Sequence, residues 1–529
     1  MAKMALTKPT KLKELERKNK DKQAIIQEKN NIIEEQALEI TRLQEQLGIQ
    51  GQPTLAEDLK QVRQALFNEE QAHEETKKKL NLKTEECERL KHRLRKNSQN
   101  SSKPPSTNGF KKPIYNSRVK TGKKTGGQLG HKGHHLAFDT DVDEVIEQKP
   151  TSVCSCGGAI ILDEKPKRKQ IIDIEIKKVV REERVFTGRC VCCTKKYSGN
   201  FSTNSKAHVQ YGENLRGMIG LLSLGDFVPI KRLKETITQL THGAINIGEG
   251  TIVNIINEIG KASKNMVDEL KQTLRKADVL YVDETPIKYE NTKHYAHVAT
   301  DGETVVLEGC ATRGFEEITK MDILPGFVRV VMSDHFSIYN KLSETIPARC
   351  NAHILRELQG LYELSKRDII LTFRKYLQEL NQWAKAYKIN HQAAPPETCE
   401  TFKQEYLRLL QIWESQCMPL FDAYAKKHPE KKISDNPLNE ERCLVKRLQE
   451  HVDAHLRFIT DFRVAFDNNI AERSLRMAKT KMKVSGPFRS EQAMESFFNA
   501  RSIIQTKRNK GELILNTFIP MFNPIIPTH

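Results

Sequence analysis

VLYVDETP at residues 279–286 is a β-rich stretch whose apolar residues lead directly to an acidic side chain, Asp283. Similar runs follow, namely HYAHVAT at 294–300, TVVLEGC at 304–310 and VRVVMSDH at 328–335. The first three runs have hairpin-like spacing, and a helical pattern, GFEEITKMD, separates the third run from the fourth. This order predicts three consecutive strands, a helix and a further strand, the pattern of an α/β core.

Two of these runs end on carboxylates. Asp283 follows VLYV and Asp334 follows VVMS, while Glu472 lies further on in NNIAERSLRMAKTK, on a predicted helix. A carboxylate at the edge of an apolar core needs a partner such as a metal ion. Three carboxylates from two strands and a helix suit a pair of Mg²⁺ or Mn²⁺ ions, which catalyse phosphodiester displacement. A lone strand aspartate is usually structural, so spacing alone leaves both interpretations open.

The residues after the strands are helical in pattern over 352–465, and more helix with a basic surface follows over 466–515. His353 and Arg356, one helical turn apart in RCNAHILREL, either face the acidic site or pack on the sheet. The basic side chains around Glu472 are predicted to hold DNA phosphates or to form a solvated face. They are Arg473, Arg476, Lys479, Lys481, Lys483 and Arg489.

Residues 138–205 contain two close cysteine pairs. Cys154 and Cys156 form C-x-C before two glycines, and Cys190 and Cys193 form C-x-x-C. Four thiolates in two such pairs predict one structural zinc site, with Cys192 as a competing ligand. Scattered reduced thiols are the alternative. IIDIEI at 171–176 alternates as a strand, so the segment is predicted to be a small β-rich zinc domain.

The N-terminal residues 1–96 carry two heptad series of apolar residues, separated by GIQGQP at 48–53. Such spacing predicts a coiled coil, and Asn19 in a seam position favours one register. The two helices either fold back on each other within one chain or form an intermolecular zipper. The second alternative predicts a homo-oligomer.

A basic segment follows the heptads. Residues 91–135 contain twelve Lys and Arg residues and no Asp or Glu, in a Ser-, Pro- and Gly-rich context. This composition builds no core, so 97–137 is predicted to be a flexible linker that either is simply solvated or binds DNA phosphates. The named phosphate-binding candidates are Lys111, Lys112, Lys123, Lys124 and Lys132.

Between the zinc segment and the strands, residues 206–276 are predicted to be helical. VPIKRLKETITQLTHGAINIGEGTIVNIINEIG fits two amphipathic helices separated by a turn that contains glycine. Two such helices are compatible with a helix-turn-helix that binds DNA, and equally with ordinary packing helices.

Length, charge and hydropathy limit the class of protein. The chain has 529 residues and a net charge of +18, which favours a polyanionic partner such as nucleic acid. Its length fits about three or four domains, and no apolar run approaches the ~18 to 20 residues of a membrane span. Because the N-terminus lacks the apolar region of a signal peptide, the cysteines are expected to be reduced or metal-bound in the cytoplasm.

VDETP, VMSDH, RCNAHILREL and NNIAERSLRMAKTKMKVSGPFRS together resemble the DDE transposases of the insertion-sequence 66 family. The basic NSSKPPS and GGQLGHKGH stretches and the cysteine-paired segment resemble the same family and occur in the same order. The most specific piece is NNIAERSLR, with Lys479 seven residues after Glu472. Two departures are the C-x-C where C-x-x-C is usual and CNAH where many members have a tryptophan before the alanine.

The resemblance implies an RNase H-like catalytic domain at 277–515, with the helical insertion at 352–465 and a C-terminal tail at 516–529. It makes Asp283, Asp334 and Glu472 a catalytic triad that holds two Mg²⁺ or Mn²⁺ ions. It also implies a bacterial, nucleoid-associated enzyme that cuts DNA at element terminal repeats and joins the ends to target DNA. A non-catalytic zinc-containing regulator and a nuclease without strand transfer are the two alternatives.

Overall fold

The computed structural model describes scattered helical positions between residues 28 and 46, and then 53–97, 100–101, 130–132, 136–150, 152–153, 155–163, 165–202 and 207–522. Five predicted site residues lie outside the described residues: Lys111, Lys112, Lys123, Lys124 and Cys154. Most of the first heptad series also lies outside them. Close contacts divide the chain into two units, 1–110 with 263–512 and 111–262 with 513–529.

The second heptad series forms one continuous helix, α1, over Pro53–Arg95. The seam residues Val62 and Leu94 are each 46% exposed, whereas Cys87 of the same heptad series is 4% exposed. Just beyond α1, the Lys96 ammonium contacts the Glu440 carboxylate at 2.8 Å, and Asn100 Nδ2 donates to Glu363 at 2.6 Å. The N-terminal helix is therefore confirmed, whereas its pairing stays a prediction.

The cysteine-bearing segment contains a small two-stranded sheet. Strands β1 (Thr187–Arg189) and β2 (Lys196–Ser198) pair antiparallel around the turn that carries Cys190, Cys192 and Cys193. The predicted strand at 171–176 is wrong. No described residue pairs with its backbone, and Ile171 and Ile174 are 93% and 82% exposed. Alternation predicts a strand only where a neighbouring strand supplies hydrogen bonds, and none does here.

Three helices follow: α2 (Glu213–Gly220), α3 (Ile230–Leu240) and α4 (Glu249–Arg275). The two amphipathic helices of the sequence pattern are thereby confirmed as α3 and α4. Gly243, at φ +79°, lies in the turn after α3, where a left-handed backbone favours glycine. The connection spans residues 241–248, which is longer than the three- to four-residue turn of a standard helix-turn-helix.

The core sheet has five strands in the order β5-β4-β3-β6-β7. They are β3 (Val279–Tyr289), β4 (Thr292–Thr300), β5 (Val305–Cys310), β6 (Val330–Ser333) and β7 (Ile346–Arg349). The first three form an antiparallel meander, whereas β6 and β7 run parallel to β3. A short helix, α5 (Phe315–Lys320), lies in the connection between β5 and β6. The predicted strand order is confirmed, and this mixed sheet is consistent with an RNase H-like fold.

The helical insertion lies between β7 and the helix that carries Glu472. It contains α6 (Asn351–Ser365), α7 (Asp368–Tyr387), α8 (Pro396–Lys427), α9 (Asn439–Glu450), α10 (Val452–His455) and α11 (Arg457–Thr460). These helices share a hydrophobic core that includes the fully buried Phe373 and Trp413. Inside it, Trp413 Nε1 donates to the buried Glu441 at 2.6 Å, and Arg367 pairs with that carboxylate at 3.0 Å.

Helices α12 (Asn469–Ser485), α13 (Glu491–Asn509) and α14 (Leu515–Phe522) complete the chain. Helix α13 covers the exposed edge of the sheet, since the Ser502 and Thr506 hydroxyls accept hydrogen bonds from Leu307 N and Val305 N of β5. An edge strand covered in this way is protected from pairing with other chains. The predicted C-terminal tail begins instead with α14, and its Phe518 is completely buried.

Among the described residues, no helix combines the length and the apolar character that a bilayer crossing requires.

Candidate active site

The register of the core sheet places Asp283 and Asp334 side by side. Strand β3 pairs with β6 through Val279 and Val330, and the last paired residues are Tyr281 and Met332. Continuing this parallel register by two positions sets Asp283 opposite Asp334. Both aspartates follow buried apolar residues, so the sheet fixes their backbones while their side chains reach one end of it.

Asp334 is the first residue after β6, and local hydrogen bonds fix its position. Its Oδ1 accepts a hydrogen bond from Phe336 N at 2.8 Å, while its backbone carbonyl accepts one from the Arg349 guanidinium at 3.3 Å. Arg349 is only 3% exposed and also donates to Ser333 Oγ and Asn340. A buried arginine at the end of β7 therefore holds the loop that presents Asp334.

Glu472 reaches the same region from the first turn of α12. Asn468, the residue immediately before this helix, is buried and donates through Nδ2 to the carbonyl of Val282 at 2.8 Å. Val282 directly precedes Asp283, so this hydrogen bond connects the start of α12 to the strand at the acidic site. The sequence analysis missed Asn468, whose only signal was its place in NNIAERS.

Burial and like charges raise the pKa of Asp283 well above its usual range. Burial is the largest cause, and the nearby charges of Glu284, Asp334 and Glu472 raise the pKa further. The pKa of Glu284 is raised to about 7, mainly by burial and then by Asp334. Glu284 also accepts a hydrogen bond from the Tyr339 hydroxyl at 2.7 Å. The site thus gathers four carboxylates whose negative charges repel one another.

Such a cluster fits a divalent cation. Repulsion between buried carboxylates is relieved when a cation lies between them, and Mg²⁺ and Mn²⁺ prefer oxygen ligands. One oxygen of Glu472, Oε1, is buried and has no hydrogen-bond partner among the described residues, so it has a lone pair available to a cation. No three donor atoms of Asp283, Asp334 and Glu472 lie within 4.8 Å of one another in the described chain.

His353 and Arg356 of helix α6 both face Glu472, as one of the two sequence interpretations predicts. His353 Nε2 and the Arg356 guanidinium each lie 3.8 Å from Glu472 Oε1. Cys350, the residue before α6, belongs to the same cluster, and burial raises the pKa of its thiol to about 12. The sequence analysis quoted Cys350 within RCNAHILREL and assigned it no role.

A buried chain of hydrogen bonds connects the Asp334 loop to the helical insertion. His335 follows Asp334, and its Nε2 lies 2.7 Å from Nε2 of His455 in α10, so the two rings share one hydrogen. His455 Nδ1 lies 2.9 Å from the Tyr406 hydroxyl of α8. Burial lowers the pKa of both imidazoles, that of His455 to about 3, so both rings are neutral. The insertion thereby supports the loop that carries Asp334.

The predicted DNA-binding residues of α12 differ in exposure. Arg473, Arg476 and Lys483 are exposed, and Arg489 is exposed just beyond the helix. Lys479 is half-buried instead, and its ammonium donates to the carbonyl of Pro286 in β3. Phosphate binding by Lys479 would require it to leave this contact.

Lys481 is also occupied. Its ammonium donates to the carbonyl of Gly486 at 3.0 Å and lies 3.9 Å from the centre of the Phe488 ring. Among the candidates of the basic linker, Lys132 is described, and it is exposed.

Three of the described cysteines lie in one turn. Backbone N–H groups of Cys193 and Cys192 hydrogen-bond to the thiol of Cys190 and lower its pKa, and Cys190 N donates to Lys195 O at 2.9 Å. Cys156 is exposed in a separate turn and is not grouped with them within 4.8 Å. The described cysteines are free thiols, and the zinc site that would join this turn to Cys154 and Cys156 stays a prediction.

Two family models match the chain. One, described as "Transposase IS66 family" and named for its DDE domain, matches residues 208–496, and this range contains Asp283, Asp334 and Glu472. The other, described as "Family of unknown function (DUF6444)", matches residues 26–137, which cover the heptads and the basic linker. No curated protein matches the chain.

Proposed function

This chain belongs to the IS66 transposase family, with a DDE domain, and from this we propose that Asp283, Asp334 and Glu472 catalyse both DNA steps of transposition. In the first step, water attacks a phosphodiester at the element end. In the second, the freed 3'-hydroxyl attacks target DNA in line. The observation that carries the assignment is the placement of Asp283 and Asp334 on the adjacent strands β3 and β6, with Glu472 close enough for its charge to raise the pKa of Asp283.

Asp283, Asp334 and Glu472 would hold two Mg²⁺ or Mn²⁺ ions. When bound, the ions polarise the scissile phosphate, activate the attacking oxygen and neutralise charge on the leaving oxygen. The raised pKa of Asp283 supports this proposal, because it reflects a cluster of negative charge that a cation relieves.

The other residues of the site position these carboxylates. Asn468 fixes Glu472 relative to Asp283 through the carbonyl of Val282, and Arg349 holds the loop of Asp334. Lys479, through the Pro286 carbonyl, attaches α12 to β3. Each contact joins an element that carries one triad residue to a neighbouring part of the core.

DNA binding is proposed for two surfaces. Arg473, Arg476 and Lys483 are exposed on α12 and Arg489 just after it, near the carboxylates, where they would hold phosphates of the DNA being cut. The basic linker at 97–137 would neutralise phosphates without reading sequence, so its contribution falls as salt rises.

The cysteine turn supports a structural Zn²⁺. Cys190 and Cys193 would supply two thiolates, and Cys154 and Cys156 the other two. N–H groups that hydrogen-bond to the Cys190 sulfur favour its thiolate, which is the form that binds zinc.

A homo-oligomer through the heptads is the proposed assembly. The exposed seam residues of α1 support it, because apolar seam positions are normally covered in a coiled coil. Two paired chains would place two basic linkers and two catalytic sites in one complex, as joining two element ends requires. A bacterial cytoplasmic, nucleoid-associated location fits this activity.

Strand transfer with pre-cleaved element ends tests the function. The full chain is mixed with such ends, a plasmid target and Mg²⁺, and the joined products are counted. A transposase joins ends to target, whereas a nuclease cuts uncleaved ends without joining them. A zinc-containing regulator binds the DNA and does neither. Binding without either reaction would contradict the proposal.

A further inference from the structure

Cys350, His353 and Glu472 form a compact group of three different donor types beside the acidic site. Cys350 immediately precedes α6 and His353 lies in its first turn, so their i, i+3 spacing puts them on one side of the chain. Glu472 faces them from α12. One donor atom from each of the three residues lies within 4.8 Å of the other two. His353 Nε2 and Glu472 Oε1 are 3.8 Å apart.

The hydrogen bonding of this cluster is incomplete. His353 Nδ1 and Glu472 Oε1 are buried, and neither has a hydrogen-bond partner among the described residues. A buried polar atom left in this state costs about 1 to 3 kcal/mol. Cys350 Sγ, by contrast, accepts a hydrogen bond from Asn468 N at 3.2 Å. This donor partly offsets the burial that raises the pKa of the thiol, and a bound cation would supply the rest of the stabilisation that the thiolate needs.

We propose that Cys350, His353 and Glu472 bind one thiophilic divalent transition ion such as Zn²⁺, separately from the oxygen-bound Mg²⁺ pair. On binding, the ion takes the sulfur, one imidazole nitrogen and one carboxylate oxygen, the thiol proton leaves to water, and a water molecule completes a tetrahedron. Ligands about 2.0 to 2.3 Å from a tetrahedral ion lie about 3.3 to 3.8 Å from one another. Nitrogen and oxygen ligands lie at the short end of this range, at about 3.3 to 3.5 Å, so the His353–Glu472 separation of 3.8 Å needs a small closure on binding.

The donor set also decides which ion binds. Sulfur and imidazole ligands select Zn²⁺ or Co²⁺ over Mg²⁺, which prefers oxygen. The guanidinium of Arg356 lies 3.8 Å from Glu472 Oε1 and would be displaced by the ion. Its side chain is 26% exposed, so it has open space towards solvent to move into.

Glu472 would be a ligand both of this ion and of the Mg²⁺ pair. The consequence for activity rests on the proposed function. An ion held by Cys350 and His353 keeps Glu472 away from the Mg²⁺ pair, so Zn²⁺ inhibits strand transfer even at saturating Mg²⁺. The cluster would thus make the enzyme sensitive to free transition metal.

Cobalt spectroscopy on the full chain tests the site directly. Co²⁺ bound to a thiolate absorbs in the near ultraviolet, and the cysteine turn contributes the same background to every variant. We expect Cys350→Ala to lose part of the wild-type absorption, and His353→Asn to bind that cobalt at least about tenfold more weakly. Cys417→Ala is the matched control, since Cys417 is equally buried and lies in the core of the insertion.

Superimposable cobalt titrations of wild type, Cys350→Ala and His353→Asn would overturn the proposal. The two substitutions are independent, so a failure of one variant to fold leaves the other to decide. Zn²⁺ inhibition is then measured relative to the zinc-free rate of each variant, and half-inhibition should need at least about tenfold more Zn²⁺ in Cys350→Ala. A chain without strand transfer contradicts the proposed function, while the cobalt spectra still decide the metal site.

Discussion

Replacing Asp283 by Asn should make the metal-free protein more stable while it removes the response to Mg²⁺. Asn keeps the acceptor for Glu284 N, which donates to Asp283 Oδ1 at 2.9 Å, so the local backbone is preserved. The substitution removes one of four carboxylates that repel one another. Two unit charges about 6 Å apart interact by about 3 kcal/mol at an effective dielectric constant of 20, and partial protonation reduces this.

An increase of about 2 kcal/mol in the free energy of unfolding raises the melting temperature of a domain of roughly 250 residues by about 4 to 8 °C. Wild type should instead gain about 2.7 kcal/mol when Mg²⁺ is present at about 100 times its dissociation constant, because the ion binds only the folded state. Asp283→Asn should lose most of that gain. The assay is thermal unfolding of both proteins, purified without chelator, across a Mg²⁺ titration.

Asp278→Asn is the matched control, since Asp278 lies just before β3 with its side chain 56% exposed and contacts Arg329 and Arg463. Its free energy of unfolding should lie within about 1 kcal/mol of the wild-type value, and Mg²⁺ should stabilise it as much as wild type. Two results would refute the reasoning. One is a lower melting temperature for metal-free Asp283→Asn, and the other is an undiminished Mg²⁺ shift in that variant.

Three further predictions concern the support of the Asp334 loop, the pH dependence of stability and the cysteine turn. Tyr406→Phe removes the hydroxyl that contacts His455 and should raise the Mg²⁺ concentration needed for half-maximal strand transfer, because the Asp334 loop loses support. Tyr376→Phe, which removes a 2.6 Å hydrogen bond to Phe402 O in the same insertion, should leave the Mg²⁺ requirement unchanged; equal effects of the two variants would argue against a positioning role. The pKa of Glu284 is raised to about 7 from 4.5, so its contribution to stability is fully present below pH 4.5 and is lost as pH rises through 7. Metal-free Glu284→Gln should therefore gain about 1 to 3 kcal/mol over wild type between these limits, and a stability difference that does not change with pH would contradict this. Metal analysis should find about one Zn²⁺ per chain fewer in Cys190→Ser than in wild type, whereas folded wild-type protein without zinc would remove the zinc proposal.

The strands of the core could be predicted from the sequence because their signal is local. A short apolar run such as VLYV or VVMS fits a buried strand whatever its neighbours are, and Asp283 and Asp334 follow directly from those runs. The helical insertion is similar, since each helix carries its own apolar face. The proximity of Asp283 to Glu472 has no such local signal, because the residue pattern left a structural interpretation of these carboxylates open and the family resemblance favoured the catalytic one.

The features that sequence reasoning missed depend on tertiary partners. IIDIEI alternates like a strand, but no described residue pairs with it. Lys479 looks like a free surface lysine until α12 packs on β3 and the Pro286 carbonyl accepts a hydrogen bond from its ammonium. Asn468 and Cys350 are ordinary residues in the sequence and gain their roles from the approach of α12 to β3 and α6.

Strand transfer by three triad variants tests the central claim most directly. Asp283→Asn, Asp334→Asn and Glu472→Gln are compared with wild type and Asp278→Asn, using pre-cleaved element ends, target plasmid and Mg²⁺, after DNA binding by each protein has been confirmed. Asp278→Asn should join ends to target as wild type does, and the three triad variants should give no detectable joining. Near-normal joining by any one of those three would contradict the assignment of that carboxylate to the catalytic site.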